Sequence, residues 1–197
     1  MTLTLQPMEL AGLAALLVLF ALAGVLGFRH WRRRRAERAR LAHVEAIAYD
    51  MLRDVLLPDG NDGQIHVDFL LLTGNGVLVL DLRDVPGVIF GGESMDEWAV
   101  MDGTRRTTFA NPLGLLYDRM AAVGQFAGKD LPVEGRVVFT ARGSFPKGRP
   151  RYVTPLESLT SEFPAAERDA DPSPVAAWAD AWARIRAAAT PSPVARR

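Results

Sequence analysis

The feature that most constrains this chain is a pair of short apolar segments, Gln64–Leu72 (QIHVDFLLL) and Val77–Arg83 (VLVLDLR), joined by Thr73-Gly74-Asn75-Gly76. Each is of strand length, and a Gly/Asn-rich join between two such runs is a strong β-hairpin signal. Each strand is also interrupted by a carboxylate, Asp68 in the first and Asp81 in the second. Burying a carboxylate is costly unless a cation or hydrogen bonds compensate it. The turn allows two registers. A two-residue type II′ loop at Gly74-Asn75 pairs Thr73 with Gly76 and sets Asp68 directly opposite Asp81. Those like charges, about 5 Å apart at Cβ, would be destabilising without a cation between them. A type I′ loop at Asn75-Gly76 moves the pairing by one step and sets Asp68 opposite Arg83, an ordinary ion pair. In both registers Asp68, Asp81 and Arg83 share one face.

The rest of the soluble part reads as mixed α+β. Residues 37–57 carry Leu41, Val44, Ala48, Met51, Leu52 and Val55 at helical spacing, ended by Pro58-Asp59-Gly60. Glu45 falls at the edge of that apolar stripe rather than on its polar face. Gly87–Phe90 reads as a third strand. Trp98–Met101 and Arg105–Phe109 read as a second hairpin across Asp102-Gly103. Asn111 caps a helix reaching about Gly128, with Pro112 at its first position. Gly135–Thr140 reads as a buried strand. Pro174 to about Ala188 reads as a last helix with Val175, Trp178, Trp182 and Ile185 as its apolar stripe, followed by a fraying tail. The expected fold is a small mixed sheet flanked by helices, with no internal repeat. The division expected is residues 1–36 as anchor and basic segment, 37–162 as the folded domain, and 163–197 as Pro-rich linker, helix and tail.

Ahead of this domain, Leu10–Phe28 is an uncharged apolar run of 19 residues, followed at once by Arg29-His30-Trp31-Arg32-Arg33-Arg34-Arg35. A helix of that length nearly matches a hydrocarbon core of about 30 Å. Arginines on the C-terminal side orient it with the N-terminus outside and the remainder in the cytoplasm. The expectation is a single-pass inner-membrane protein. A cleaved signal peptide ending near Ala21-Leu22-Ala23 is the competing reading, but the basic n-region it needs is absent. The formal net charge of zero hides an asymmetry, +5 over residues 1–40 and −5 over the remainder, which excludes a uniformly basic nucleic-acid coat.

Zero cysteines exclude disulfides, thiolate zinc sites, iron–sulfur clusters and thiol nucleophiles. Ser144 and Ser158 lack a recognisable histidine and carboxylate arrangement. Gly74-Asn75-Gly76 and Gly91-Gly92-Glu93 lack phosphate-loop spacing and read as turns. His66 alternates onto the face of Asp68 and could assist a metal or phosphate. Arg142, Lys147, Arg149 and Arg151, among Pro146, Pro150, Phe145 and Tyr152, form the basic cluster of the domain and the candidate contact to a nucleic-acid backbone.

Asp68 followed eight positions later by Gly76 and then by Val77-Leu78-Val79-Leu80-Asp81-Leu82-Arg83 resembles the nuclease-related domain (NERD) pattern. That pattern is an Asp, a glycine turn, then an acidic-x-Lys triplet. Gly87-Val88-Ile89-Phe90-Gly91, Trp98 and Asn111-Pro112 follow in the family's order, and Glu45 matches its early acidic position. The resemblance covers about residues 41–142 and implies a PD-(D/E)XK-like core. It implies metal-dependent phosphodiester hydrolysis of nucleic acid, with DNA favoured. Glu45, Asp68 and Asp81 would hold Mg²⁺ or Mn²⁺, and Arg83 would stabilise developing negative charge. The chain departs from the pattern where Arg83 replaces Lys, Asp81 replaces the more usual Glu, and Leu115 stands where a Gln is usual. Arginine stays protonated and cannot serve as a base. The alternative implied is a non-cleaving descendant that binds nucleic acid or a protein partner.

Overall fold

The computed structural model describes residues 7–170 and 173–193, with side chains from Phe20 onward except that of Arg33. The chain divides into two units, residues 1–41 and 42–197. From Pro7 the first is helical, the larger part of α1 (Pro7–Ala46). Along it Phe28 and Trp31 stack at 6.0 Å, with Arg32 over Phe28 and Arg35 over Trp31.

The expected membrane span is not found. Among the described residues no helix is long and apolar enough to cross a membrane. The side chains of Leu10–Leu19 lie outside the described residues, and the described part of the apolar run is Phe20–Phe28. No span is therefore assigned among the described residues. The single-pass topology and the inner-membrane localisation fall with it.

The second unit is built on two sheets. After α1 come β1 (Asp50–Pro58), β2 (Gln64–Thr73) and β3 (Gly76–Arg83), then β4 (Gly87–Phe90), β5 (Glu97–Asp102) and β6 (Arg105–Ala110). Next are α2 (Pro112–Ala127), β7 (Val133–Phe139), β8 (Gly143–Ser144), β9 (Val153–Pro155), α3 (Leu159–Glu162), α4 (Ala179–Ala188) and β10 (Thr190–Pro191). The six-stranded sheet runs β10-β1-β2-β3-β7-β9, and the four-stranded sheet runs β6-β5-β4-β8. Strands β3, β7 and β9 are mutually parallel, whereas β10, β1, β2 and β3 pair antiparallel. The mixed sheet with flanking helices agrees with the reading of the sequence.

Residues 37–57 are not one helix. The helix ends at Ala46, and Asp50–Pro58 is a strand running the length of β2, Asp50 opposite Leu72 and Pro58 opposite Gln64. The apolar residues of this stretch satisfy both periods. Pairing with β2 decides between them, because it meets the backbone hydrogen bonds and buries Val55 and Leu57 at once.

Both faces of the central strands are covered. Leu70, Leu72, Val77 and Val79 belong to one cluster with Leu113, Leu116 and Val123 of α2 and Trp182 and Ile185 of α4. The alternating set Phe69, Leu71, Leu78 and Leu80 is equally buried. On that side Arg136, paired with Leu80, lies 5.2 Å from the Phe163 ring. The two sheets meet at Trp98 of β5, fully buried and stacked 6.2 Å from Phe139 of β7. Helix α2 starts where expected. The Asn111 side chain accepts from Leu113 N, while its amide donates to the Met95 carbonyl at 2.8 Å. One residue thereby caps the helix and anchors the preceding loop.

Candidate functional site

The β2–β3 turn sets the geometry of the site. Thr73 pairs with Gly76 and Phe69 with Leu80, so the register is the one that carries Asp68 opposite Asp81. The turn reaches it differently from expectation, because the positive φ falls on Gly76 (+122°) rather than Gly74. A Cβ there would stand 2.4 Å from the Pro132 carbonyl oxygen, so only glycine fits. Thr73 Oγ1 donates to the Gly76 carbonyl and accepts from Asn75 N, locking the loop.

The β1–β2 pairing extends the row. Arg53 pairs with Phe69 and Val55 with Val67, and the residues between them, Asp54 and Asp68, stand across from each other where the ladder is interrupted. Asp54 has a left-handed φ of +49°. Asp54, Asp68 and Asp81 therefore form a line across three adjacent strands. His66 joins it from β2, with Nδ1 3.4 Å from Asp68 Oδ1 and Nε2 3.7 Å from Asp54 Oδ1. Each of Asp54, His66 and Asp68 offers a ligand atom within 4.8 Å of the others.

Asp81 has different company. It is fully buried and takes a forked contact from Arg83, Nε to both carboxylate oxygens at 3.2 and 3.1 Å and Nη2 to Oδ2 at 2.7 Å. Arg119 of α2 approaches from the helix layer with Nη1 3.1 Å from the same Oδ2, while its Nε donates to the His66 carbonyl at 2.7 Å. Burial on its own would push the Asp81 carboxyl upward. The hydrogen bonds and charge of Arg83, the hydrogen bond shared with Asp68 and the charge of Arg119 outweigh it and hold Asp81 below the ordinary carboxylate value. Where the alternative register would have set Arg83 opposite Asp68, the ion pair that Arg83 makes is with Asp81 of its own strand.

Glu45 is not brought to this row. It is exposed on the last turn of α1, near a small cavity shared with Tyr49, Asp50 and Arg168. Arg168 donates to its backbone carbonyl. Tyr49 N donates to the Leu72 carbonyl, which places this turn at the Gly74 end of the sheet. Asp68 is four residues further along β2, roughly 13 Å at strand rise.

The basic cluster is divided. Arg142 pairs with Asp84 at 3.2 Å, and Lys147 lies 5.7 Å from the Phe90 ring. Arg149 and Arg151 instead line a cavity of about 590 Å³ beside β7 and β9, with Arg136, Tyr152, Thr154 and Glu162. Arg136 is engaged there by Glu162 and Glu134, whereas Arg149 and Arg151 form no ion pair among the described residues.

Two residues of the site, Asp54 in the acidic row and Arg119 beside it, were not found by sequence reasoning. Asp54 was hidden by reading its strand as a helix, although the Asp59-Gly60-Asn61-Asp62-Gly63 loop is itself a hairpin connection. Arg119 was legible, since it falls three residues after Leu116 and four before Val123, on the buried stripe of α2.

The donor set fits a divalent cation. Two carboxylates and one imidazole are donors such an ion takes, and one ligand atom from each of Asp54, His66 and Asp68 lies within 4.8 Å of the others. No curated protein and no solved structure matches the chain. A family model described as the nuclease-related domain matches residues 30–140, more than half of the chain. The acidic pair, its glycine turn and the Asn-Pro helix start all fall inside that match, and the chain belongs to the nuclease-related domain family, whose class is PD-(D/E)XK-like.

Proposed function

We propose that this chain is a divalent-metal-dependent phosphodiesterase of nucleic acid, with DNA as its substrate. The observation that carries the reading is the convergence of Asp68 and Asp81 across β2 and β3, with His66 and Asp54 on one side and Arg83 and Arg119 on the other. PD-(D/E)XK-like domains generally use divalent metals. Bound among these residues, Mg²⁺ or Mn²⁺ would supply a Lewis acid for a phosphate oxygen and lower the pKa of an attacking water.

The chain's own groups supply the rest. Arg83 is half-buried and can present a guanidinium edge to phosphate oxygens while its other edge holds Asp81. Arg119 fixes that carboxylate from beneath and adds positive charge in a site of low dielectric. Neither arginine can take a proton at neutral pH, so the base must be a carboxylate, His66 or a substrate phosphate oxygen. Arg149 and Arg151 would track the backbone of the bound strand.

The test is nicking of supercoiled DNA by the full chain with Mn²⁺ or Mg²⁺. Cleavage abolished by chelation and by Asp68→Asn in a folded protein supports the proposal. A second reading, a binding domain that does not cleave, is favoured by the forked Arg83–Asp81 contact. Retained DNA binding without cleavage under any divalent ion would select it.

A further inference from the structure

We propose that the acidic row is functionally split, and this rests on the metal-dependent reading above. The cation is held by Asp54, His66 and Asp68, while Asp81 serves as the anchor of an arginine pair that receives the phosphate.

Three observations on opposite sides of Asp68 carry the split. First, Asp81 is already saturated with positive charge. Arg83 contacts both of its oxygens, and Arg119 stands 3.1 Å from one of them. A divalent cation placed on the same carboxylate would face two fixed guanidiniums that cannot deprotonate. Second, the other side of Asp68 is occupied by His66, which reaches Asp54 beyond it. Asp54 and the His66 imidazole complete a three-donor set there, one ligand atom from each lying within 4.8 Å of the others. Asp54 is 42% exposed, so that end is open to exchange with solvent. Third, Arg119 is only 2% exposed and its Nη1 stands 3.1 Å from Asp81 Oδ2, so a second guanidinium backs the carboxylate that Arg83 already holds. Two guanidiniums against one carboxylate leave a surplus of positive charge for a ligand oxygen. An anion reaching over Arg83 would meet it.

The donor chemistry also selects the ion. One imidazole beside two carboxylates suits Mn²⁺ better than Mg²⁺, which prefers an all-oxygen sphere. Asp81 and the two arginines then form a cluster of net positive charge next to the metal, suited to a phosphodiester whose charge rises during cleavage.

The experiment is Mn²⁺ binding to the full chain by calorimetry and electron paramagnetic resonance. Wild type is expected to show nitrogen hyperfine coupling to the bound Mn²⁺, lost in His66→Gln. Asp54→Asn and His66→Gln are each expected to weaken Mn²⁺ binding by about tenfold or more. Arg83→Met leaves Arg119 in place to hold Asp81. It is expected to keep Mn²⁺ affinity but to weaken binding of a ten-nucleotide single-stranded DNA, measured without metal. Mn²⁺ binding that lacks nitrogen coupling, is indifferent to Asp54→Asn and His66→Gln, and strengthens in Arg83→Met would place the cation on Asp81. That result overturns the split while leaving the metal-dependent reading intact. A wild-type chain that binds no Mn²⁺ overturns both.

Discussion

Replacing Asp81 by Asn tests how the buried charges are balanced. The substitution keeps the shape of the side chain but removes the counter-charge of Arg119, which is 2% exposed and has no second carboxylate among the described ion pairs. Arg83 is 26% exposed and can turn toward water, so most of the penalty falls on Arg119. Stranding a buried charge by removing its partner costs about 3–5 kcal/mol. In a unit of this size each kcal/mol moves the midpoint by about 2–4 °C, so the full chain should melt roughly 6–20 °C lower. Replacing both partners, Asp81→Asn with Arg119→Met, removes the stranded charge and should recover about 2–3 kcal/mol relative to the sum of the single variants. The His66 carbonyl remains without its Arg119 donor in the double variant, so recovery is partial. Urea unfolding of the four proteins closes the cycle. A cost below about 1 kcal/mol for Asp81→Asn, or additivity in the double variant, would refute the assignment of Asp81 as the counter-charge of Arg119.

Acid should reveal the same carboxylate. Because its folded value lies below the unfolded one, its stabilisation is complete above the unfolded pKa of about 3.9 and is lost as pH falls through the folded value. Acid unfolding should therefore be less steep in Asp81→Asn than in wild type. Asp50 joins β1 to α4, accepting from Trp182 Nε1 at 2.7 Å and from Arg186. Burial opposes its ionisation, but these bonds and that of Met51 N hold it low. Trp182→Phe should cost about 1 kcal/mol and raise the Asp50 pKa, read by carboxylate chemical shifts. Asn111→Ala removes a helix cap and the donor to the Met95 carbonyl, and about 2 kcal/mol should be lost in thermal unfolding. Arg149→Ala with Arg151→Ala should flatten the salt dependence of DNA binding by up to about two phosphate contacts, while Arg142→Ala, tied to Asp84, should change it little. Equal slopes in all three proteins would show that the cavity does not receive the strand.

Much of the fold was legible because local patterns agreed with it. The hairpin 64–83, the capped helix from Asn111 and the strand before Thr140 follow from turn residues and periodicity that tertiary contacts had no reason to override. Residues 50–58 failed for the opposite reason. Met51, Leu52 and Val55 fit either period, and only the partner strand β2 could choose. That single miss hid Asp54, one of the three donors of the candidate cation site. The apolar run before Arg29 read as a span, but among the described residues no helix is long and apolar enough to cross a membrane.

Sequence alone determined that two acidic residues would share a face of a buried hairpin, because side chains alternate along a strand and both registers obey that parity. It also determined that the third motif position holds a guanidinium instead of an amine. Only the tertiary structure decided who neutralises whom. The register put Asp68 against Asp81, the neighbouring strand brought Asp54 and His66 to one side, and α2 delivered Arg119 to the other. Electrostatic balance in a buried site depends on distances of a few ångströms between residues far apart in the chain, and those distances are set by packing.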